Sequence, residues 1–123
     1  MNNKDIQKRK VKRNQEKKKD IIFNIRLTNP CIVCGETNPL CLEFDHDIGN
    51  KDYNISNMVQ KKLSTEHILD EIAKCRILCA NCHSIKTAIE QKRYSYLRFI
   101  KMTESLTDSR IEKIKQLVDQ SLI

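Results

Sequence analysis

Two Cys-x-x-Cys pairs, Cys31-Ile-Val-Cys34 and Cys79-Ala-Asn-Cys82, constrain this chain more than any other feature. A two-residue spacer lets two thiolates of one turn face a single ion, and tetrahedral zinc takes four such ligands at about 2.3 Å. Gly35, directly after the first pair, suits a tight turn that brings backbone N–H groups toward the sulfurs. The 44 residues between the pairs exceed the roughly 15–20 of an ordinary zinc ribbon, so a further element is inserted within one metal-held unit. The chain needs such a staple. At 123 residues, with 5% aromatics and no Trp, it buries little apolar surface and leaves its core to Ile, Leu and Val.

Metal rather than disulfide is expected. The chain opens with no signal-like segment and holds no apolar run near the ~20 residues of a bilayer span, which predicts a soluble, intracellular protein without a membrane partner. In that reducing setting, paired Cys-x-x-Cys spacing means metal. Cys41 and Cys75 fall outside both pairs, at the starts of two expected strands, where packing is their expected role.

The net charge of +7 is concentrated in residues 1–20, where nine Lys/Arg face Asp5, Glu16 and Asp20. This arm reads as a solvated helix or a disordered tail, and it is where a polyanion is drawn first. Lys8, Arg9, Lys10, Lys12 and Arg13 are its candidate nucleic-acid contacts. Asn29-Pro30 ends any helix running through Ile21, Ile22 and Ile25, which divides the chain into a basic arm (1–28), a metal-held domain (29–92) and a C-terminal helical extension (93–123).

Within the domain, Leu42-Glu43-Phe44-Asp45 alternates as a half-buried strand does. A loop rich in turn formers (Gly49, Asn50, Asp52, Asn54) leads to Ser64, an expected N-cap for a helix through Ile68, Leu69, Ile72 and Ala73. Cys75–Cys79 predicts a second strand, and a helix from Asn81 buries Ile85, Ala88 and Ile89. In the extension, Tyr94, Tyr96, Leu97, Phe99 and Ile100, then Ile111, Ile114, Leu117 and Val118, predict helices that finish the core, with Thr103 or Thr107 capping the last. A homodimer through these helices is the alternative use of their apolar faces.

Leu42-Glu43-Phe44-Asp45-His46 and Cys75-Arg76-Ile77-Leu78-Cys79-Ala80-Asn81-Cys82-His83 together resemble the two halves of an HNH nuclease motif carrying a four-cysteine zinc site, over roughly residues 29–92. The fold this implies is α+β: a small zinc-stapled ββα-metal (His-Me finger) core with flanking helices. The resemblance implies structural Zn²⁺ on Cys31, Cys34, Cys79 and Cys82, and a catalytic Mg²⁺ or Mn²⁺ on Asp45 and His83. It also implies His46 as general base, with Lys86, one turn beyond His83, reaching a phosphate. The activity implied is hydrolysis of phosphodiester bonds in DNA, as a nick from a single site, with RNA left open as a substrate. A non-catalytic zinc-stabilised nucleic-acid-binding module is the alternative. One position departs from the motif: Lys74 stands where the family commonly has an Asn that steadies the loop holding the base, and Asn54 or Asn57 is the expected substitute. The abundance of Lys, Ile and Asn suits an AT-rich genome such as that of a phage or other virus.

Overall fold

From Lys4 to Thr28 the chain is free of Gly and Pro and rich in Lys, Arg, Gln and Glu, all good helix formers. In the computed structural model, which describes residues 2–47, 49–102 and 108–121, this stretch is one unbroken helix, α1 (Asn3–Thr28). The Asn2 side chain caps its start by accepting from the Asp5 N–H at 2.9 Å. Pro30 ends it, because a residue before proline is pushed out of the helical region, and Asn29 is extended. Of the two sequence readings of the arm, the helix is the one adopted. Ile22 is the buried residue of α1, and Lys18 Nζ donates to the Leu63 carbonyl at 2.7 Å. These contacts seat the second half of the helix, while Lys8, Arg9, Lys10, Lys12 and Arg13 are all exposed on the first half.

A short 3₁₀ turn at Pro39–Cys41 delivers the chain into β1 (Leu42–His46), which pairs antiparallel with β2 (Cys75–Cys79). The register sets Leu42 opposite Cys79, Phe44 opposite Ile77, Asp45 opposite Arg76 and His46 opposite Cys75. Between the strands lie α2 (Ile55–Met58), a single turn absent from the sequence expectation, and α3 (Thr65–Ile72). Ser64 caps α3 as expected, its Oγ accepting from the His67 N–H at 3.2 Å. Leu69, expected on the buried face of α3, is exposed instead. β2 runs directly into α4 (Ala80–Glu90), with Cys79 as its N-cap, and α5 (Tyr94–Met102) and α6 (Ser109–Ser121) follow.

The architecture is thus mixed α+β, a two-stranded sheet with helices around it and four cysteines gathered at one end. Two buried clusters meet at Phe44. One joins Cys31, Val33, Leu42, Ile77, Leu78, Cys79, Cys82 and Ile114, with Ile85, Ile89, Leu117 and Val118 packed on it. The other joins Ile22, Ile55, Met58, Val59 and Ile68.

The two C-terminal helices divide the role expected of both. Helix α6 sends Ile114 into the first cluster with no solvent exposure, while α5 leaves Tyr94, Leu97 and Ile100 exposed. Thr103 and Thr107 lie outside the described residues. Asp108 makes the capping contact at α6, its carboxylate accepting from the Arg110 N–H at 2.9 Å. No helix among the described residues is long and apolar enough to cross a membrane.

Candidate active site and metal centre

The first centre is built by two turns. In the first, Gly35 adopts a φ of +80°, which glycine reaches without strain, and its N–H donates to the Cys31 carbonyl at 3.0 Å. In the second, the start of α4 turns Cys79 and Cys82 to the same side, with the Cys82 N–H donating to Cys79 Sγ at 3.4 Å. The ligand atoms of Cys31, Cys34, Cys79 and Cys82 all lie within 4.8 Å of one another, and Cys34 Sγ and Cys79 Sγ are 3.6 Å apart. Four thiolates on a tetrahedral ion at about 2.3 Å stand roughly 3.8 Å from each other, so the group could hold a metal ion such as zinc.

The thiols are electrostatically unequal. Burial pushes Cys31 up, but hydrogen bonds from the backbone of Cys34, Cys79 and Val33 outweigh it and bring the thiol down to about 7. Burial and the neighbouring thiols of Cys79, Cys34 and Cys31 push Cys82 far up. A cation at the centre of the group reverses the Cys82 effect, since binding a metal releases thiol protons. Cys41 and Cys75 stay outside the four. Cys75 packs against the second cluster, and burial, followed by the negative charges of Glu71, Asp45 and Asp47, pushes its thiol up to about 11.

The second centre lies at the far end of the sheet. Side chains alternate along a strand, so Glu43 and Asp45 leave β1 toward α4 while His46 leaves it toward α3. On the α4 side, His83 Nε2 is 3.4 Å from Asp45 Oδ1, and His83 Nδ1 is 2.9 Å from Glu43 Oε2. A carboxylate behind a ligating histidine fixes its tautomer and orientation, the usual outer partner of a metal-bound imidazole. Asp45 is 6% exposed and is neutralised from two further sides, by Lys86 Nζ at 3.1 Å and Arg76 Nε at 3.4 Å. Lys86, which the motif would aim at a phosphate, is itself buried, its ammonium shared between Asp45 and Glu90.

On the α3 side, His46 Nε2 is 2.8 Å from Glu71 Oε2. Glu71 is buried and also accepts from the backbone N–H of Asp52 at 3.2 Å and from Lys74 Nζ at 3.0 Å. Lys74 completes the clamp by donating to the Asn50 carbonyl at 2.8 Å and to Asp52 Oδ2 at 2.7 Å. The residue that departs from the nuclease motif therefore ties the loop after β1 to the carboxylate that holds His46. No hydrogen bond joins the side chain of Asn54 or Asn57 to His46 among the described residues. His46 lines two cavities. One is a cleft of ≈ 610 Å³ shared with Asp47, Lys86, Glu90 and Lys92, and the other a space of ≈ 280 Å³ beneath α1. His67, exposed at the start of α3, bonds Ser64 Oγ through Nδ1 at 2.8 Å and takes no part in either centre.

No protein-family model, curated protein or solved structure matches this chain.

Sequence reasoning singled out Asp45, His46 and His83 but passed over Glu43 and Glu71. Glu43 carried a signal in principle, since it lies two residues before Asp45 and shares its face of the strand. Glu71 carried none, being one of several acids on an amphipathic helix.

The Glu71 carboxyl yields a pH prediction. Burial raises it, but the Lys74 ammonium, His46 and the amides of Tyr53 and Asp52 together hold it down at about 2. A carboxyl depressed on folding stabilises the protein in full above its ordinary value of 4.5, and that contribution is lost as pH falls toward 2. Glu71→Gln is therefore expected to be less stable than wild type at pH 7, with the gap closing as pH is lowered from 4.5 toward 2. Urea unfolding of both proteins across that range checks it, and a gap independent of pH would remove the carboxylate as its source.

Proposed function

We propose that the chain is a metal-dependent endonuclease of the HNH type that hydrolyses phosphodiester bonds in DNA, built on a ββα-metal core that a structural zinc on Cys31, Cys34, Cys79 and Cys82 holds together. The observation that carries this reading is the convergence of Asp45 Oδ1 and His83 Nε2 to 3.4 Å at the end of an antiparallel pair, with His46 as the next residue. A carboxylate oxygen and an imidazole nitrogen at that separation fit two neighbouring ligands of one divalent cation, and Glu43 behind His83 supplies the outer support. When bound, Mg²⁺ or Mn²⁺ there would stabilise the charge developing on the phosphate and on the leaving 3′ oxygen.

The chain's own residues supply the proton chemistry. Glu71, ionised and acceptor-only, accepts a hydrogen bond from His46 Nε2–H, which leaves the Nδ1 lone pair free to remove a proton from an attacking water. Lys74 keeps Glu71 and the 50–52 loop in register with that histidine. The exposed basic residues of α1 add phosphate contacts that concentrate DNA near the site without reading its sequence. One active site per chain predicts a nick, unless a second copy docks through the C-terminal helices.

A second reading, a non-catalytic zinc module that binds nucleic acid, has one observation in its favour: the Lys86 ammonium lies on Asp45, where the cation would bind. Supercoiled plasmid separates the two. Zinc-loaded protein at low salt is expected to convert it to the nicked circle with added Mg²⁺ or Mn²⁺ and not without. A shifted band with no nicking in either metal would favour the binding module.

A further inference from the structure

The cavity beneath the last turns of α1 is lined by an arginine whose buried Nε has no hydrogen-bond partner among the described residues. Arg26 is fixed from below by two aromatic rings, its guanidinium carbon lying 5.8 Å from the centroid of Phe23 and 6.0 Å from that of Phe44. Its Nε is buried and has no hydrogen-bond partner among the described residues. No carboxylate pairs with it among the described residues. Glu43, which lines the same cavity, has Oε2 on His83, and Asp45 is taken by Lys86, Arg76 and His83. Buried polar groups are bonded in folded proteins, so the unpaired Nε of an arginine whose side chain lines a cavity calls for a partner beyond the described residues. The rings of Phe23 and Phe44 hold the guanidinium by cation–π contact, and a planar fork matches the paired oxygens of a phosphate. Lys51 brings a second cation to the same space of ≈ 280 Å³, and Asn54 lines it too.

We infer that this cavity is a phosphate subsite for a DNA strand, with Arg26 as its clamp and Lys51 as its second cation. The location gives it a purpose under the nuclease reading, on which this part rests. His46 lines both this cavity and the larger cleft beside Lys86, so a strand with its scissile phosphate at His46 places a neighbouring phosphate over Arg26. Arg26 then positions the strand for attack and takes no part in the chemistry. The clamp differs from the arm in kind, since the lysines and arginines on the first half of α1 are exposed, whereas Arg26 is half-buried against two aromatic rings.

The test uses the full-length, zinc-loaded chain without Mg²⁺ or Mn²⁺, so that binding is read apart from cleavage. The Arg26 Nε–H resonance of ¹⁵N-labelled wild type, assigned by its loss in Arg26→Lys, is followed during titration with a 12-base-pair duplex and, separately, with inorganic phosphate. It is expected to shift and to exchange more slowly with solvent as the duplex saturates. In parallel, Arg26→Gln is expected to weaken duplex binding about tenfold and to lower the slope of log K against log salt by about one, and Arg26→Lys to keep the slope while losing most of the affinity. An Nε–H resonance unmoved by saturating duplex overturns the proposal, as does a folded Arg26→Gln with unchanged affinity and slope. A response to inorganic phosphate alone overturns the assignment to DNA and leaves a free-anion site. If Arg26→Gln does not fold, the wild-type resonance decides alone. A shift with no cleavage under any metal keeps the subsite and removes the nuclease reading, whereas metal-dependent cleavage with no shift does the reverse.

Discussion

His46→Ala is expected to nick supercoiled plasmid on the order of a thousandfold more slowly than wild type in Mg²⁺, the scale typical of removing a general base. The protein itself should remain folded and zinc-loaded. Glu71, the partner of His46, keeps the Lys74 ammonium and the Asp52 N–H after the substitution, so its buried carboxylate is not left unpaired. The four cysteines lie at the opposite end of the β1–β2 pair, where Leu42 faces Cys79 while His46 faces Cys75. The check is a time course of nicked circle for both proteins at equal zinc content, with added imidazole as a control that should restore part of the lost rate. A His46→Ala protein that nicks at the wild-type rate would remove His46 as the proposed base and leave the proposed metal site to be tested through Asp45 and His83.

The second large effect is on folding. Cys82→Ser is expected to leave residues 29–92 without cooperative structure at 25 °C, because a structural zinc contributes on the order of 10 kcal/mol while a whole domain is stable by about 5–15 kcal/mol. The geometry sharpens the expectation. Cys31, Cys79 and Cys82 are core residues as well as members of the four-thiol group, packed with Val33, Leu42, Ile77, Leu78 and Ile114, so loss of an ion held there is expected also to open the first hydrophobic cluster. Chelation of the wild type should have the same result. Cys41→Ser is the matched control, since Cys41 lies outside the four-thiol group and should leave both zinc content and folding in place. Zinc content with far-UV circular dichroism and a thermal melt measures all three. A Cys82→Ser protein that melts cooperatively at the wild-type temperature would show that the cluster is not the staple.

Much of the architecture was legible in residues close together in the chain. The break at Asn29-Pro30, the alternation through Leu42–Asp45, the Ser64 cap and the apolar spacing of Ile85 and Ile89 all act within a few residues, and local backbone preference answers to such patterns directly. The cysteine pairs were legible for the same reason, since a two-residue spacer dictates the turn that presents both sulfurs. The C-terminal extension was legible only in part. Both helices carry apolar stripes, and nothing local says that α6 sends Ile114 into the core while α5 keeps Tyr94 and Leu97 in solvent.

By itself, then, the sequence determined most of the elements and the four-cysteine group, because these follow from spacing along a strand or turn, while Asp45, His46 and His83 were singled out by the resemblance of their two segments to the HNH motif. Only the tertiary structure decided what surrounds them. Glu71 reaches His46 from 25 residues away, Glu43 reaches His83 from 40, and Lys86 reaches Asp45 from 41. The sequence left Asn54 and Asn57 as candidates to steady His46, and in the fold Glu71, itself bonded to Lys74, holds it. It likewise gave no reason to notice Arg26, one cation among many on a basic helix, until packing on Phe44 set it over a cavity shared with His46. Partners so far apart in the chain are chosen by how helices pack against a two-stranded sheet, and no local periodicity records that choice.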